Sequence, residues 1–176
     1  MEKYFIADYG EYGREPVIRQ MSDGTIICLS LTGGETEPRP ENYVAITRSY
    51  DRGKTWSVPS SIPGCAGRCS FRQGFRLSNG DIFFPVYWDS ITGNLAFTVD
   101  GKKSDSEKLL FRCGAVISSD NGKTFTKIAN IENDDEWVFY PHAFFDENER
   151  ILYVAYENFR QHFLKKFTFE ELGITD

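Results

Sequence analysis

No stretch of this sequence approaches the roughly 18 consecutive apolar residues that a membrane-crossing helix requires, so a helical span is excluded. Positive charge is also scarce. Twenty Lys and Arg face 26 Asp and Glu, for a formal net charge of -6 and a pI near 5.0, the opposite of a nucleic-acid footprint. Neither nucleic acid nor a membrane is therefore expected as a partner. There are two histidines and four cysteines, at 28, 65, 69 and 113. Cys65 and Cys69 stand in a CxxxC spacing, but no second close pair or histidine cluster completes a metal site. The reading is free buried thiols rather than a metal site or disulfide, with no metal and no cofactor. The opening "MEKYFIADYGEYGREP" lacks a basic region and an apolar core of signal-peptide type, so a cytoplasmic location is expected.

What the chain has in quantity is aromatic residues, 15% of 176, including fifteen Phe and nine Tyr. That share favours strands and ring-lined pockets over helical bundles, and the length suits one domain. Two stretches repeat almost word for word: "SYDRGKTW" at 49–56 and "SSDNGKTF" at 118–125. In each, an Asp followed two residues later by Gly lies between β-formers, which signals a hairpin whose Gly supplies a positive φ. The strands around these turns read as "NYVAITRS" and "TWSVP", then "FRCGAVISS" and "TFTKIANI". The Asp accepts hydrogen bonds from the turn, Ser and Thr brace it, and Trp56 or Phe125 packs into the core beneath.

A second pattern runs through "VIRQMSDGTIICLSL", "GFRLSNGDIFFPVYW" and "AFFDENERILYVAYE", each a strand, a polar turn and an apolar strand. Ile26, Ile82 and Ile151 hold equivalent places. The repeating unit is thus a four-stranded antiparallel meander, the blade of a β-propeller. The predicted fold is all-β, one partial propeller domain over 1–176 with about three blades at 14–60, 70–130 and 137–170. The third unit ends early, in a strand and a short polar tail.

These residues carry a resemblance. S-x-D-x-G-x-T-W is similar to the Asp box, or BNR repeat, of sialidase-like propellers, through Ser49, Asp51, Gly53, Thr55 and Trp56 and again through Ser118, Asp120, Gly122, Thr124 and Phe125. "GREPVIRQMSDGTII" resembles the Arg-x-Pro motif of the first sialidase blade. The resemblance implies six blades, of which this chain spells about half. A homodimer completing a six-bladed ring, or a shortened or partial form of a longer chain, would account for the difference.

Blade topology separates the two ends of each sheet. The Asp boxes fall at the bottom, and their role is structural. The opposite rim is built from starts of first strands and ends of second strands. It gathers Arg14 and Glu15; the loop with Glu35 and Glu37; Arg72, Gln73, Trp88 and Asp89; and Tyr140, His142, Glu157 and Arg160. The resemblance implies that Arg14 grips a substrate carboxylate, as a guanidinium fork does well; a salt bridge between blades is the alternative. Arg72 and Arg160 would extend the cluster, and Gln73, Trp88 and Asp89 would line it. Glu35 or Glu37 would be the acid/base, where the family normally has Asp. Tyr140 is expected as nucleophile with Glu157 as its partner, and His142 as a hydrogen-bonding group or base. The ligand class is carbohydrate. Three functions remain open: an exo-acting glycoside hydrolase on an acidic sugar, a non-catalytic propeller binding glycan or protein, and a polysaccharide lyase.

Overall fold

A computed structural model describes residues 3–36, 41–66, 69–89, 111–131, 139–158 and 161–174. Among them every regular element is a strand, arranged in three antiparallel sheets. The first sheet is β1 (Gly13–Gln20), β2 (Ile26–Thr32), β3 (Tyr43–Ser49) and β4 (Ser60–Ala66), in that order. In the second, an inner strand in two pieces, β5 (Cys69–Phe71) and β6 (Phe75–Arg76), is followed by β7 (Ile82–Asp89), β8 (Phe111–Ser118) and β9 (Thr126–Asn130). The third sheet is β10 (Phe139–Asp146), β11 (Ile151–Asn158) and β12 (Gln161–Thr168). "TWSVP" is not a strand; β4 begins at Ser60, because Ser57 instead closes the turn through its N–H on Arg48 O, at 2.8 Å.

Alternation of side chains along each strand sorts the apolar residues into two layers. Val17, Ile27, Leu29, Val44 and Ile46 of the first sheet meet Phe71, Ile82, Phe84, Val86 and Val116 of the second. On the other face of the second sheet, Phe83, Cys113, Ala115 and Ile131 meet Leu152, Val154 and Tyr156 of the third. Strand β7 contributes to both layers, which is why "IFFPV" is apolar without alternation. The thiols of Cys28 and Cys113 are free and buried, and burial holds both protonated by raising their pKa. The side chains of Cys65 and Cys69 lie outside the described residues.

The two repeats that resemble Asp boxes, at 49–56 and 118–125, occupy the same register. Ser49 pairs with Ile26, and Ser118 pairs with Ile82. In the first box the Ser49 hydroxyl donates to Asp51 and accepts from Gly53 N, while Asp51 also accepts from Thr55 N and Thr55 Oγ1. The second box repeats this set with Ser118, Asp120, Gly122 and Thr124. Phe125 packs into the core against Phe71 and Phe84, as expected. Trp56 does not. It is half-buried and folds over its own turn, with Nε1 donating to Gly53 O.

The third sheet ends differently from the expected polar tail. Thr168, paired with Ile151, stands where the other sheets have the box serine. Its N–H and hydroxyl donate to Glu171 Oε2, and Glu171 N donates back to Thr168 Oγ1, which is a capping box. The turn closes with Ile174 N on Phe169 O and Gly173 N on Glu170 O, a Schellman pair with Gly173 at φ 66°. Phe169, Leu172 and Ile174 are thereby driven into the second core layer. Polar residues in "TFEELGI" serve the caps, and the apolar ones pack.

Hydrogen bonds from Thr55 Oγ1 and Thr55 N hold Asp51 down to about 2. Burial works against Asp120, yet bonds from Thr124 still leave it lowered. A carboxylate with a depressed folded-state pKa stabilises above its unfolded value and loses that contribution as pH falls through the folded one. Melting temperature should therefore decline between about pH 4 and pH 2, and Asp51→Asn with Asp120→Asn should flatten that decline in a calorimetric pH series. Separately, Gly173→Ala should cost about 1 kcal/mol in denaturant unfolding, because a left-handed residue loses its glycine.

Candidate functional site

Each inner strand is kinked near its start, and a proline accompanies every kink. In β1 the pairing with β2 slips between Arg14 and Val17, at Glu15-Pro16. In β10 it slips between Phe139 and His142, at Tyr140-Pro141. Glu15 and Tyr140, each directly before the proline, adopt φ of 53° and 47°. In the second sheet the proline lies across the ladder. Pro85 accepts from Arg72 N at 2.7 Å but has no N–H to return, and the inner strand breaks there into β5 and β6. Gly74 completes that break, since a Cβ on it would lie 2.5 Å from the Phe84 ring and 2.6 Å from Phe83 O. Bulges of this kind turn side chains out of the pleat.

The kinks present Arg14, Arg72 and Tyr140. The Arg72 guanidinium lies over the Tyr140 ring, 4.9 Å from its centroid, and Arg14 lies 5.9 Å from the Tyr12 centroid. Both are within cation–π range. Arg72 is close enough to Cys113 for its charge to offset part of the burial that raises that thiol. It therefore sits at the junction of the second and third sheets, reaching from one to the other.

The loop after β2 is held by a residue not singled out in the sequence. Asn42 is buried, and its Nδ2 donates to Gly33 O at 2.5 Å and Thr36 O at 3.1 Å. Gly33 is obligatory, at φ 88° with Glu41 O only 2.3 Å from where a Cβ would stand. Glu35 is displayed, exposed, between these two anchors.

Other expected site residues are placed apart. Tyr140 faces the second sheet, through Arg72. Glu157 lies on the opposite face of the third sheet, in the row with Ala155, and meets His162 Nε2 at 3.3 Å. The slip at Tyr140-Pro141 is what separates the expected pair, since it turns Tyr140 away from the row of its neighbours. His142 stands opposite Ala155 and is exposed. Glu15 is half-buried at its bulge, and Gln73 is exposed at the break. Trp88 and Asp89 lie on β7, with side chains outside the described residues, as Glu37 and Arg160 are entirely. The Asp boxes lie at the far end of the strands: Ser49 is level with Gln20, roughly 15 Å along the strand from the kink at Glu15-Pro16. Among the described residues no group of three or more His, Cys, Asp or Glu could hold a metal ion.

No family model matches the chain, and neither does any curated protein. Solved structures do share the fold. The Hadza microbial sialidase Hz136 is 17% identical with a TM-score of 0.63, covering 93% of this chain and 32% of its own. A protein of unknown function from Dyadobacter fermentans is 16% identical with a TM-score of 0.62, covering 88% and 47%. An α-L-arabinofuranosidase from Fusarium graminearum is 15% identical with a TM-score of 0.53, covering 87% and 43%. The chain thus spans less than half the length of each. The three sheets are blades of a β-propeller, the fold shared with these structures.

Replacing Asn42 with Ala should leave two loop carbonyls without their donor and lower stability by about 1–3 kcal/mol. Hydrogen exchange should show the loss concentrated at residues 33–36 rather than spread over the sheets.

Proposed function

We propose that the rim of this propeller recognises an acidic sugar, as part of a glycan-active, sialidase-like protein. The observation that carries the reading is the half-buried Arg72, set on the Tyr140 ring at the kinked end of the blades. Arg14 joins it from the equivalent kink of the first blade. A guanidinium binds a carboxylate through two parallel hydrogen bonds, and two such groups on one rim suit an anionic ligand better than a neutral one. Glycan as the ligand class is supported by neighbours named as a sialidase and an arabinofuranosidase. Their low identity bears on the fold and leaves the sugar to the chemistry of the rim.

Hydrolysis is the second reading. Glu35, presented on the Asn42-anchored loop, is its acid/base, with Glu37 as the neighbouring carboxylate. The separation of Tyr140 from Glu157 favours recognition over turnover by this pair, because a tyrosine nucleophile needs its activating carboxylate on the same side. The two-fold ring has no support in the fold. Cys28, Ser30, Thr32, Ala45 and Thr47, on the outward face of the first blade, are already buried, and Thr32 Oγ1 donates to Tyr9 O and Tyr12 O of the preceding segment. A second copy would have to displace that cover.

Calorimetric titration with D-glucuronate and with D-glucose separates acidic from neutral recognition. Glucuronate should bind in a salt-sensitive manner, glucose should not, and Arg14→Ala should weaken glucuronate by about tenfold or more. Equal binding of both sugars, or indifference to Arg14→Ala, would contradict the acidic-sugar reading. Release of the fluorophore from 4-methylumbelliferyl sialoside or arabinofuranoside, lost in Glu35→Gln, would instead establish hydrolysis.

A further inference from the structure

Tyr140 combines two unfavourable choices. It has φ of 47°, a region that aromatic residues rarely enter, and it precedes a proline, which restricts its backbone again. Glycine would occupy this position without strain. Strained non-glycine residues persist where the surroundings over-determine them, and they concentrate at ligand sites. The side chain that the strain retains is 47% exposed, so burial in the core does not account for it. The face of its ring carries the Arg72 guanidinium, with Cζ 4.9 Å from the centroid.

We infer that Tyr140 is a positioning residue: its ring, and not its hydroxyl, holds the Arg72 fork in the orientation that receives the acidic group of the sugar. The inference rests on the proposed acidic-sugar reading of the rim. Arginine is a long side chain with many rotamers, and its five donors lie in the guanidinium plane. The negative face of the ring restrains the guanidinium through its charge and needs no acceptor of its own, so the group is oriented before ligand arrives. The backbone supports the same arrangement from the other side. Arg72 N is tied to Pro85 O in one blade, and Tyr140 is set by the bulge ahead of Pro141 in the next. Two prolines in two blades thus fix the two halves of one stacked pair.

Three variants separate ring, hydroxyl and backbone. Tyr140→Phe keeps the ring, Tyr140→Gly removes it while relieving the strain, and Arg72→Lys keeps the charge without the planar fork. Tyr140→Gly should melt no lower than the unaltered protein, yet bind D-glucuronate about tenfold or more weakly; Tyr140→Phe should bind within about twofold. Arg72→Lys should resemble Tyr140→Gly in binding. Without any sugar present, the Arg72 side-chain protons should show an upfield ring-current shift by NMR, retained in Tyr140→Phe and lost in Tyr140→Gly. Equal weakening in Tyr140→Phe and Tyr140→Gly would assign the role to the hydroxyl and overturn the proposal, as would unchanged binding in Tyr140→Gly. Failure of the unaltered protein to bind glucuronate, with the ring-current shift present, would overturn the acidic-sugar reading itself and leave the stacked pair as a structural contact only.

Discussion

The contact on which the rest depends is made by Arg48. Its guanidinium crosses from the first blade to the second, donating through Nη1 to Asn121 O at 3.3 Å and through Nη2 to Gly122 O at 2.6 Å. Both carbonyls belong to the turn of the second Asp box, so the box is a socket as well as a staple. Gly122 lies against Ile27 and Met21, where a Cβ would come within 3.4 Å of both. Arg76 reaches the other way, donating to Met21 O, and Ser22 Oγ donates to Gly80 O. Apolar packing between blades is worth about 25 cal/mol per Å2 but is indifferent to sliding. Directional bonds to charged donors, about 1.5–3 kcal/mol each, set the register.

With register fixed at the bottom, the opposite ends of the strands arrive at fixed places. The bottom turns are regular because they carry the same chemistry, a hydroxyl with a downstream carboxylate, even where the third blade replaces Ser and Asp with Thr168 and Glu171. The rim is irregular because Pro16, Pro85 and Pro141 each deprive the inner ladder of a donor or a regular backbone. Stability and presentation of side chains are thus assigned to opposite ends of one sheet. Substitution at the rim changes the side chains presented there without touching the bonds that order the blades.

Most of the blade architecture was legible in the sequence, and for a physical reason. Strand, Gly-bearing turn and apolar strand are local signals, and their recurrence at Ile26, Ile82 and Ile151 reproduces the observed pairing partners Ser49, Ser118 and Thr168. The cap after β12 was less visible because T-x-x-E with a following glycine is short and polar on its surface. Trp56 and Phe125 occupy equivalent places in the repeat, yet only Phe125 enters the core, against Phe71 and Phe84, a difference set by tertiary context. At the rim, the positions of Arg14 on β1 and of Arg72 directly after β5 were legible as strand placements. The facing of Tyr140 and Glu157 was not, because one bulge reverses every alternation argument upstream of it. "REPV" and "FYPH" were the available signals, each an X-Pro near the start of an inner strand.

The proposed function has ligand meet the proline-kinked rim, while the repeated Asp boxes only hold the blades in order. Backbone NMR of the protein titrated with D-glucuronate tests this residue by residue. Shifts should appear at Arg14, Arg72 and Tyr140 and remain absent across 49–56 and 118–125. Perturbation centred on either box, with the three rim residues unmoved, would contradict it.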